Sequence, residues 1–304
     1  MKCLLLGGTG FIGKNLCEAL TRNGHEVSIV SRNKPLTESP YQHYTVSLCK
    51  DSDDDILKDA LRGKDVVIQL ISTTTPKSSN DDPIYDVESN VITTLKVLKY
   101  VHEQDVKKII FLSSGGTVYG QPEIIPIPES HPTLPLCSYG ITKRTIEDYL
   151  NLYAFLYGID YCILRLSNPY GEHQHHSRAQ GVIPTFLHKA LLKENISIWG
   201  DGEVIRDYIY ISDVTDAIVK AVSYTGSEKI FNIGSGVGKS LNDLLDEIEK
   251  LMGYSLIRHY SSNRVFDVKS NVLDISKAKV HLDWVPNVRL QEGLSKTMGW
   301  IKNK

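Results

Sequence analysis

Residues 1–13 read MKCLLLGGTGFIG, and the reading of this stretch decides the fold. Cys3 to Leu6 form a short apolar run, expected as a first, buried strand. Gly7, Gly10 and Gly13 are spaced three apart, and Ile12, Leu16, Ala19 and Leu20 recur at helical spacing. A strand that enters a helix through a glycine turn has a physical use. Gly7 can take backbone conformations closed to other residues. Gly10 lets the backbone approach a pyrophosphate, whose charge is favoured at a helix N-terminus. Gly13 lets helix and strand pack closely. The spacing GxxGxxG, with a strand before and a helix after, implies a dinucleotide site. The alternative is a tight turn with no ligand.

The chain of 304 residues is long for one compact core and fits a large α/β domain with a smaller lobe. Its 41% hydrophobic and 23% charged residues are those of an ordinary globular protein. A net charge of −2 gives no electrostatic reason to expect nucleic acid or an anionic membrane as partner. No apolar run reaches the roughly 18 residues of a membrane span. No leader peptide is expected, because the first strand begins almost at Met1. Cys3, Cys17, Cys49, Cys137 and Cys162 are scattered without a CxxC, which suits buried thiols in a reducing cytoplasm.

Gly24 should end the first helix, and residues 26–30 read as a second strand. The residue after such a strand meets the adenine ribose, where an acid favours NAD. Here Ser31 and Arg32 stand in that place. The missing carboxylate and the guanidinium favour NADP(H) over NAD(H). Alternatively, Arg32 stacks on adenine or points to water. Residues 33–41 read as loop, 44–48 as a third strand, 53–61 as a helix and 65–71 as a buried strand. A polar loop, 72–82, sits where open α/β sheets bind ligands. A long helix over 84–104 and a strand over 108–112 follow. This alternation predicts a parallel, doubly wound sheet of Rossmann type with a smaller C-terminal lobe.

The chemistry-bearing stretch is Ser113-Ser114-Gly115-Gly116-Thr117-Val118-Tyr119-Gly120, at the end of that strand. Some twenty residues on comes Ser138-Tyr139-Gly140-Ile141-Thr142-Lys143, opening a helix expected over 142–157. Tyr139 and Lys143 are four apart and share a helix face. A lysine ammonium beside a phenol should favour the phenolate and bring its pKa down from about 10 toward working pH. Tyr139 could then exchange a proton with a sugar oxygen that a serine or threonine holds in place.

GGTGFIG, SSGGTVYG and YGITK, in this order and spacing, resemble the extended short-chain dehydrogenase/reductases. The closer resemblance is to the NAD-dependent epimerase/dehydratase branch that acts on nucleotide sugars. It continues through SNVITT around Asn90, RLSNPYG (165–171), GVIPTF (181–186), WGDGEVIRDYIYISDV (199–214), RVFD (264–267) and DISKA (274–278). The resemblance implies that Tyr139 and Lys143 are the catalytic pair, with Lys143 also on the nicotinamide ribose. With Gly7, Gly10, Gly13, Ser31 and Arg32, the cofactor site is expected to include Phe11, Ile12, Leu70 and Asn90. Asn168 would lie at the substrate phosphate region, Arg206 and Arg264 on the nucleotide diphosphate, and Asp267 on the nucleoside ribose. Alternatively, Arg206 pairs with Asp207 or Asp213.

Three departures from the family pattern stand out. The usual catalytic Ser/Thr is Gly115 here, so Ser114 or Thr117 must supply the hydroxyl, and Ser114 is favoured. The acid after the second strand is absent, and the acid after the third is replaced around Ser47. Glu172-His173-Gln174-His175-His176 invites a metal reading, but nothing nearby has ligand spacing, and a polar substrate-side loop is expected instead. The segment 205–223 is expected to rejoin the sheet, giving a dinucleotide-binding part of 1–167 plus 204–235 and a nucleotide-sugar-binding lobe of 168–203 plus 236–304. A homodimer is expected. Of two outcomes at such a site, Ser31-Arg32 favours a reductase. It would use NADPH to convert an NDP-4-keto-6-deoxyhexose (dTDP- or UDP-linked) to the deoxyhexose for surface polysaccharide. The alternative is a 4-epimerase of the UDP-glucose type that keeps its NAD. Gly115-Gly116-Thr117 disfavours a dehydratase, and a non-catalytic NADP-binding protein is a minor alternative.

Overall fold

The computed structural model describes residues 1–34, 39–49, 51–175, 181–261 and 268–303. Seven parallel strands form its centre, in the order β10-β6-β5-β4-β1-β2-β3. They are β1 (Lys2–Leu6), β2 (Glu26–Ser31), β3 (Gln42–Thr45), β4 (Val66–Gln69), β5 (Lys108–Ser114), β6 (Asp160–Leu166) and β10 (Ile230–Ile233). Side chains alternate between faces along a strand. Cys3 and Leu5 therefore join the apolar cluster on one face, and Leu4 and Leu6 the cluster on the other. A strand buried on both faces reads as a continuous apolar run, which is why 3–6 carries no polar residue.

Helix α1 (Phe11–Arg22) packs with α8 (Ile211–Ser223) on the first face. The second face carries α2 (Asp54–Leu61), α5 (Thr93–Glu103) and α6 (Ser138–Tyr157). The strand order reverses direction at β1 and β4. A crevice therefore opens at their C-terminal ends, the place where such sheets bind ligands.

Several boundaries differ from the sequence reading. β3 begins at Gln42, two residues before the expected start. The strand over 65–71 is shorter at both ends. The loop over 72–82 contains a short helix, α3 (Ser78–Asp81), and the long helix is composite. It consists of α4 (Pro83–Asp86), a π turn (Val87–Ile92) and α5. α6 begins at Ser138, so Tyr139 stands in its first turn rather than before it. The largest correction concerns 205–223. β9 (Ile205–Tyr210) leaves the main sheet and pairs with β7 (Asn168–Tyr170), β11 (Gly238–Ser240) and β13 (Ser270–Asn271). Only α8 returns to the main layer, and β10 rejoins the sheet beside β6.

The rest of the chain builds the lobe: α7 (Val182–Leu191), β8 (Ile196–Trp199) paired with β12 (Arg258–Ser261), α9 (Leu241–Met252), α10 (Ser276–His281) and α11 (Leu290–Lys302). α9 starts on a capping box, in which Ser240 and Asp243 each bond the other's backbone N–H. No helix among the described residues is long and apolar enough to cross a membrane.

Candidate active site

A cavity of about 680 Å³ lies at the C-terminal ends of β1, β4, β5 and β6. Its first wall is the glycine turn: Gly7, Gly10, Phe11, Ile12 and Gly13, faced by Leu70. Gly7 sits at φ +96°, which a residue with a Cβ rarely adopts. A Cβ on Gly13 would lie 2.5 Å from Gly7 O and 2.6 Å from Gly8 Cα, against backbone that cannot rotate away. α1 starts at Gly10 with no side-chain cap and no acid in its first turn, so its positive end is not neutralised from within the helix. A cradle that a Cβ would fill, at an uncapped helix start, fits the diphosphate of a dinucleotide.

At the adenine end, the Ser31 hydroxyl is 2.7 Å from His43 Nε2 and donates to Asn33 O at 2.8 Å. The buried Ser31 hydroxyl is therefore already bonded inside the protein, while the Arg32 side chain is exposed. Ser47 lies beyond β3, and its N–H donates to Asp53 Oδ2 at 2.7 Å.

Tyr139 and Lys143 both line the cavity. Lys143 Nζ lies 5.5 Å from the centre of the Tyr139 ring and donates to Leu112 O at 2.9 Å. The expected lowering of the phenol by the lysine is not found. Burial raises the Tyr139 pKa above the ordinary phenol value, a hydrogen bond with Ser72 opposes this, and Cys137 and Asp86 raise it further. Burial also lowers Lys143 to about 8, against the pull of Glu147 and Asp86. Both shifts have one cause, the penalty on charge away from water.

Ser114 lines the cavity, whereas Thr117 is not among its lining residues and its Oγ1 is buried with no hydrogen-bond partner. The family's usual hydroxyl position, Gly115, has no room for a side chain. A Cβ there would lie 2.6 Å from Cδ1 of the fully buried Leu273 and 3.2 Å from Arg165 O. Gly140 answers a second close approach, since a Cβ there would stand 2.8 Å from Thr117 O.

On the lobe side, Asn168 lines the cavity from β7 and donates to Asp207 O at 2.9 Å. Arg206 lines it from β9 and donates to Ile205 O and Val268 O at 2.9 and 2.7 Å. The expected alternative partners of Arg206 have other bonds. Asp207 accepts from the backbone of Ser235, Gly236 and Leu273, and Asp213 from that of Asn287 and Val288. Arg264 and Asp267 lie outside the described residues, as does His176. His173 and His175 meet the Trp300 ring edge-on, at 5.7 and 5.9 Å. Among the described residues, no group of three or more His, Cys, Asp or Glu could hold a metal ion.

Asn90, expected at the cofactor, is not a lining residue. It accepts from Thr73 N and its Nδ2 lies 3.0 Å from Asp86 Oδ1, which ties the loop after β4 to the π turn. The sequence reading did not single out Ser167 or Tyr208, and it had Ser72 and Gln174 only within ligand-side loops; all four line the cavity. Ser167 Oγ, Gln174 Oε1 and Tyr208 OH are buried without a hydrogen-bond partner. Tyr208 carried a usable signal: it stands two residues after Arg206 on one strand, hence on the same face.

The family model described as the NAD dependent epimerase/dehydratase family matches residues 3–234. A putative UDP-glucose 4-epimerase of Methanocaldococcus jannaschii is 37% identical over 302 residues, covering 99% of this chain and 98% of the relative. A dTDP-4-dehydro-6-deoxyglucose reductase of Escherichia coli is 37% identical over 309 residues, covering 99% and 98%. Among solved structures, the UDP-glucose 4-epimerase of Thermotoga maritima, with UDP-glucose, superposes with a TM-score of 0.94 at 34% identity, covering 100% of this chain and 99% of that one. The Thermus thermophilus UDP-glucose 4-epimerase, complexed with NAD, gives 0.91 at 28%, with 99% of each chain covered. The glycine cradle, the Tyr139–Lys143 pair and these likenesses over the whole chain agree: the protein is an enzyme of the NAD-dependent epimerase/dehydratase family.

Proposed function

We propose that this enzyme is a nucleotide-sugar 4-epimerase that retains NAD and inverts C4 of a UDP-hexose. The observation that carries this reading is that one cavity is lined by both the glycine turn and the Tyr139–Lys143 pair. NAD, held by Gly7, Gly10, Phe11, Ile12 and Gly13 with Leu70, supplies the hydride acceptor and donor. Tyr139 takes the proton of the C4 hydroxyl and returns it after the keto sugar has presented its other face. Ser114 Oγ holds the sugar oxygen through both transfers. Lys143 holds the nicotinamide ribose from the turn beyond Tyr139. Asn168 and Arg206 bind the substrate diphosphate, where a guanidinium makes charge-assisted bonds. We assign Arg264 to the same diphosphate and Asp267 to the nucleoside ribose.

NAD rather than NADP is supported by the bonded state of Ser31 and by the family. The reductase favoured by the sequence becomes the second reading. Arg32 and the Escherichia coli relative, as similar as the putative epimerase, support it. The two readings are separated by identifying the nucleotide that the purified protein releases on denaturation and by assaying the unstripped protein without added cofactor. The epimerase releases NAD on denaturation and interconverts UDP-glucose and UDP-galactose unaided. Stoichiometric loss of NADPH with an NDP-4-keto-6-deoxyhexose overturns it and supports the reductase first expected.

We also propose a homodimer. α6 leaves Leu152, Phe155 and Leu156 exposed, with Phe155 at 84% of its full exposure, an apolar surface that a monomer rarely keeps. Phe155→Glu is expected to give a monomer in light scattering where the wild type gives a dimer. A monomeric wild type overturns the assignment.

A further inference from the structure

The helix that carries Tyr139 and Lys143 does not cap its own start. Cys137, at the N-cap of α6, makes no side-chain capping bond. The first N–H groups of a helix have no partner inside it. Here α3 supplies partners from some sixty residues away: Ser138 N donates to Asn80 Oδ1 at 2.9 Å and Tyr139 N to Ser79 Oγ at 3.0 Å. Behind them lies Asp86, a carboxylate with no exposure at all. Its Oδ2 accepts from Ser138 Oγ at 2.7 Å. Thr142 Oγ1, 3.3 Å from Oδ2 and 2.9 Å from Tyr139 O, shares one proton between them. Its Oδ1 accepts from Thr74 Oγ1 at 2.5 Å and from Asn90 Nδ2 at 3.0 Å. A buried carboxylate is tolerable only when its lone pairs are filled, and here four donors from three segments fill them.

We infer that Asp86 is a positioning residue for Tyr139, a clamp that fixes the loop after β4 to the first turn of α6 and so sets the phenol in the cavity. Ser72, which lines the cavity with Tyr139, and Thr74, which bonds the clamp, stand two residues apart on that loop, and Ser72 Oγ donates to Thr74 O at 3.3 Å. A shift of the loop relative to α6 therefore moves Ser72 as well as the helix start. No other acid among the described residues bonds both segments. Its negative charge also faces the two site groups: it raises Tyr139 together with Cys137, and it raises Lys143 together with Glu147.

The test is Asp86→Asn in the NAD-loaded enzyme. An asparagine keeps the shape but offers one acceptor oxygen where two are used, so the clamp loosens on one side. Turnover of UDP-glucose is expected to fall about 10- to 100-fold, the cost of a misplaced reacting group, while KM moves by less than about threefold and NAD content is unchanged. The second readout is the Tyr139 titration, taken as the ultraviolet difference between each protein and its Tyr139→Phe counterpart. Removing the anion should move that titration to lower pH. An unmoved titration, or a kcat within about threefold of wild type, overturns the inference. The turnover arm rests on the function proposed above, but the titration needs no substrate. A wild type that interconverts no UDP-hexose overturns that function and leaves the clamp to the titration. Should Asp86→Asn not fold, Ser138→Ala removes one donor and keeps the charge. It should lower kcat roughly two- to tenfold, the worth of one hydrogen bond, and an unchanged kcat overturns the clamp.

Discussion

Tyr139→Phe should reduce interconversion of UDP-hexoses by about 10²- to 10⁴-fold, the usual contribution of a positioned acid–base group, and leave the dinucleotide bound. The ring stays in the cavity wall, so packing is kept and one oxygen is lost. That oxygen is the only phenol oxygen on the helix turn next to Lys143. The dinucleotide is unaffected because its diphosphate is held at the opposite wall, by backbone at Gly7 to Gly13. Turnover at fixed substrate and the nicotinamide released on denaturation measure the two arms. A variant within about tenfold of wild type would remove Tyr139 from the chemistry. Burial raises the phenol above its ordinary value.

The second large effect is on stability. Glu147→Ala should destabilise the fold by about 3–5 kcal/mol, the cost of leaving a buried charge unpaired. Glu147 and Arg165 sit beneath the site at 2% and 3% exposure. The guanidinium meets both carboxylate oxygens, Nη2–Oε2 at 2.6 Å and Nε–Oε1 at 3.0 Å, and Ser113 Oγ donates to Oε1 at 2.5 Å. Arg165 Nη1 then donates to Tyr119 OH at 3.0 Å, and Tyr119 OH to Asn232 Oδ1 at 2.7 Å. The network joins α6, β5, β6 and β10. Removing the carboxylate strands a guanidinium with no water to solvate it. Replacing both, as Glu147→Leu with Arg165→Met, strands nothing and should recover most of the loss. Urea unfolding of the stripped proteins decides this, since bound dinucleotide would add its own stabilisation. A double variant no more stable than the single one would show that the network acts through shape rather than charge pairing.

The parts of the site that were readable in the sequence are those set within one element or one turn. Gly7, Gly10 and Gly13 are constrained by a single strand–turn–helix junction. Tyr139 and Lys143 are four residues apart on one helix. The parts that were not readable depend on contacts across the chain. Gly115 departs from the family pattern because Leu273, more than 150 residues away, fills the space its side chain would need. Asn90 carries a family motif, yet in the fold it bonds Asp86 and Thr73. β9, Ile-Arg-Asp-Tyr-Ile-Tyr, is rich in the β-branched and aromatic residues that favour strands, but nothing in that composition says which sheet it joins. Its neighbours β7, β11 and β13 lie before and after it in the chain.

By itself the sequence determined the parallel α/β layers, the dinucleotide turn and the tyrosine–lysine pair, because hydrophobic period and glycine spacing act locally. Only the tertiary structure decided what surrounds the phenol. Ser72 lines its cavity from the loop beyond β4, Asp86 in α4 bonds the first turn of its helix, and Ser79 and Asn80 cap that helix. Burial reverses the pKa shift that the lysine alone would give. A side chain's field depends on the whole set of groups packed around it and on the water they exclude, and both are properties of the folded chain.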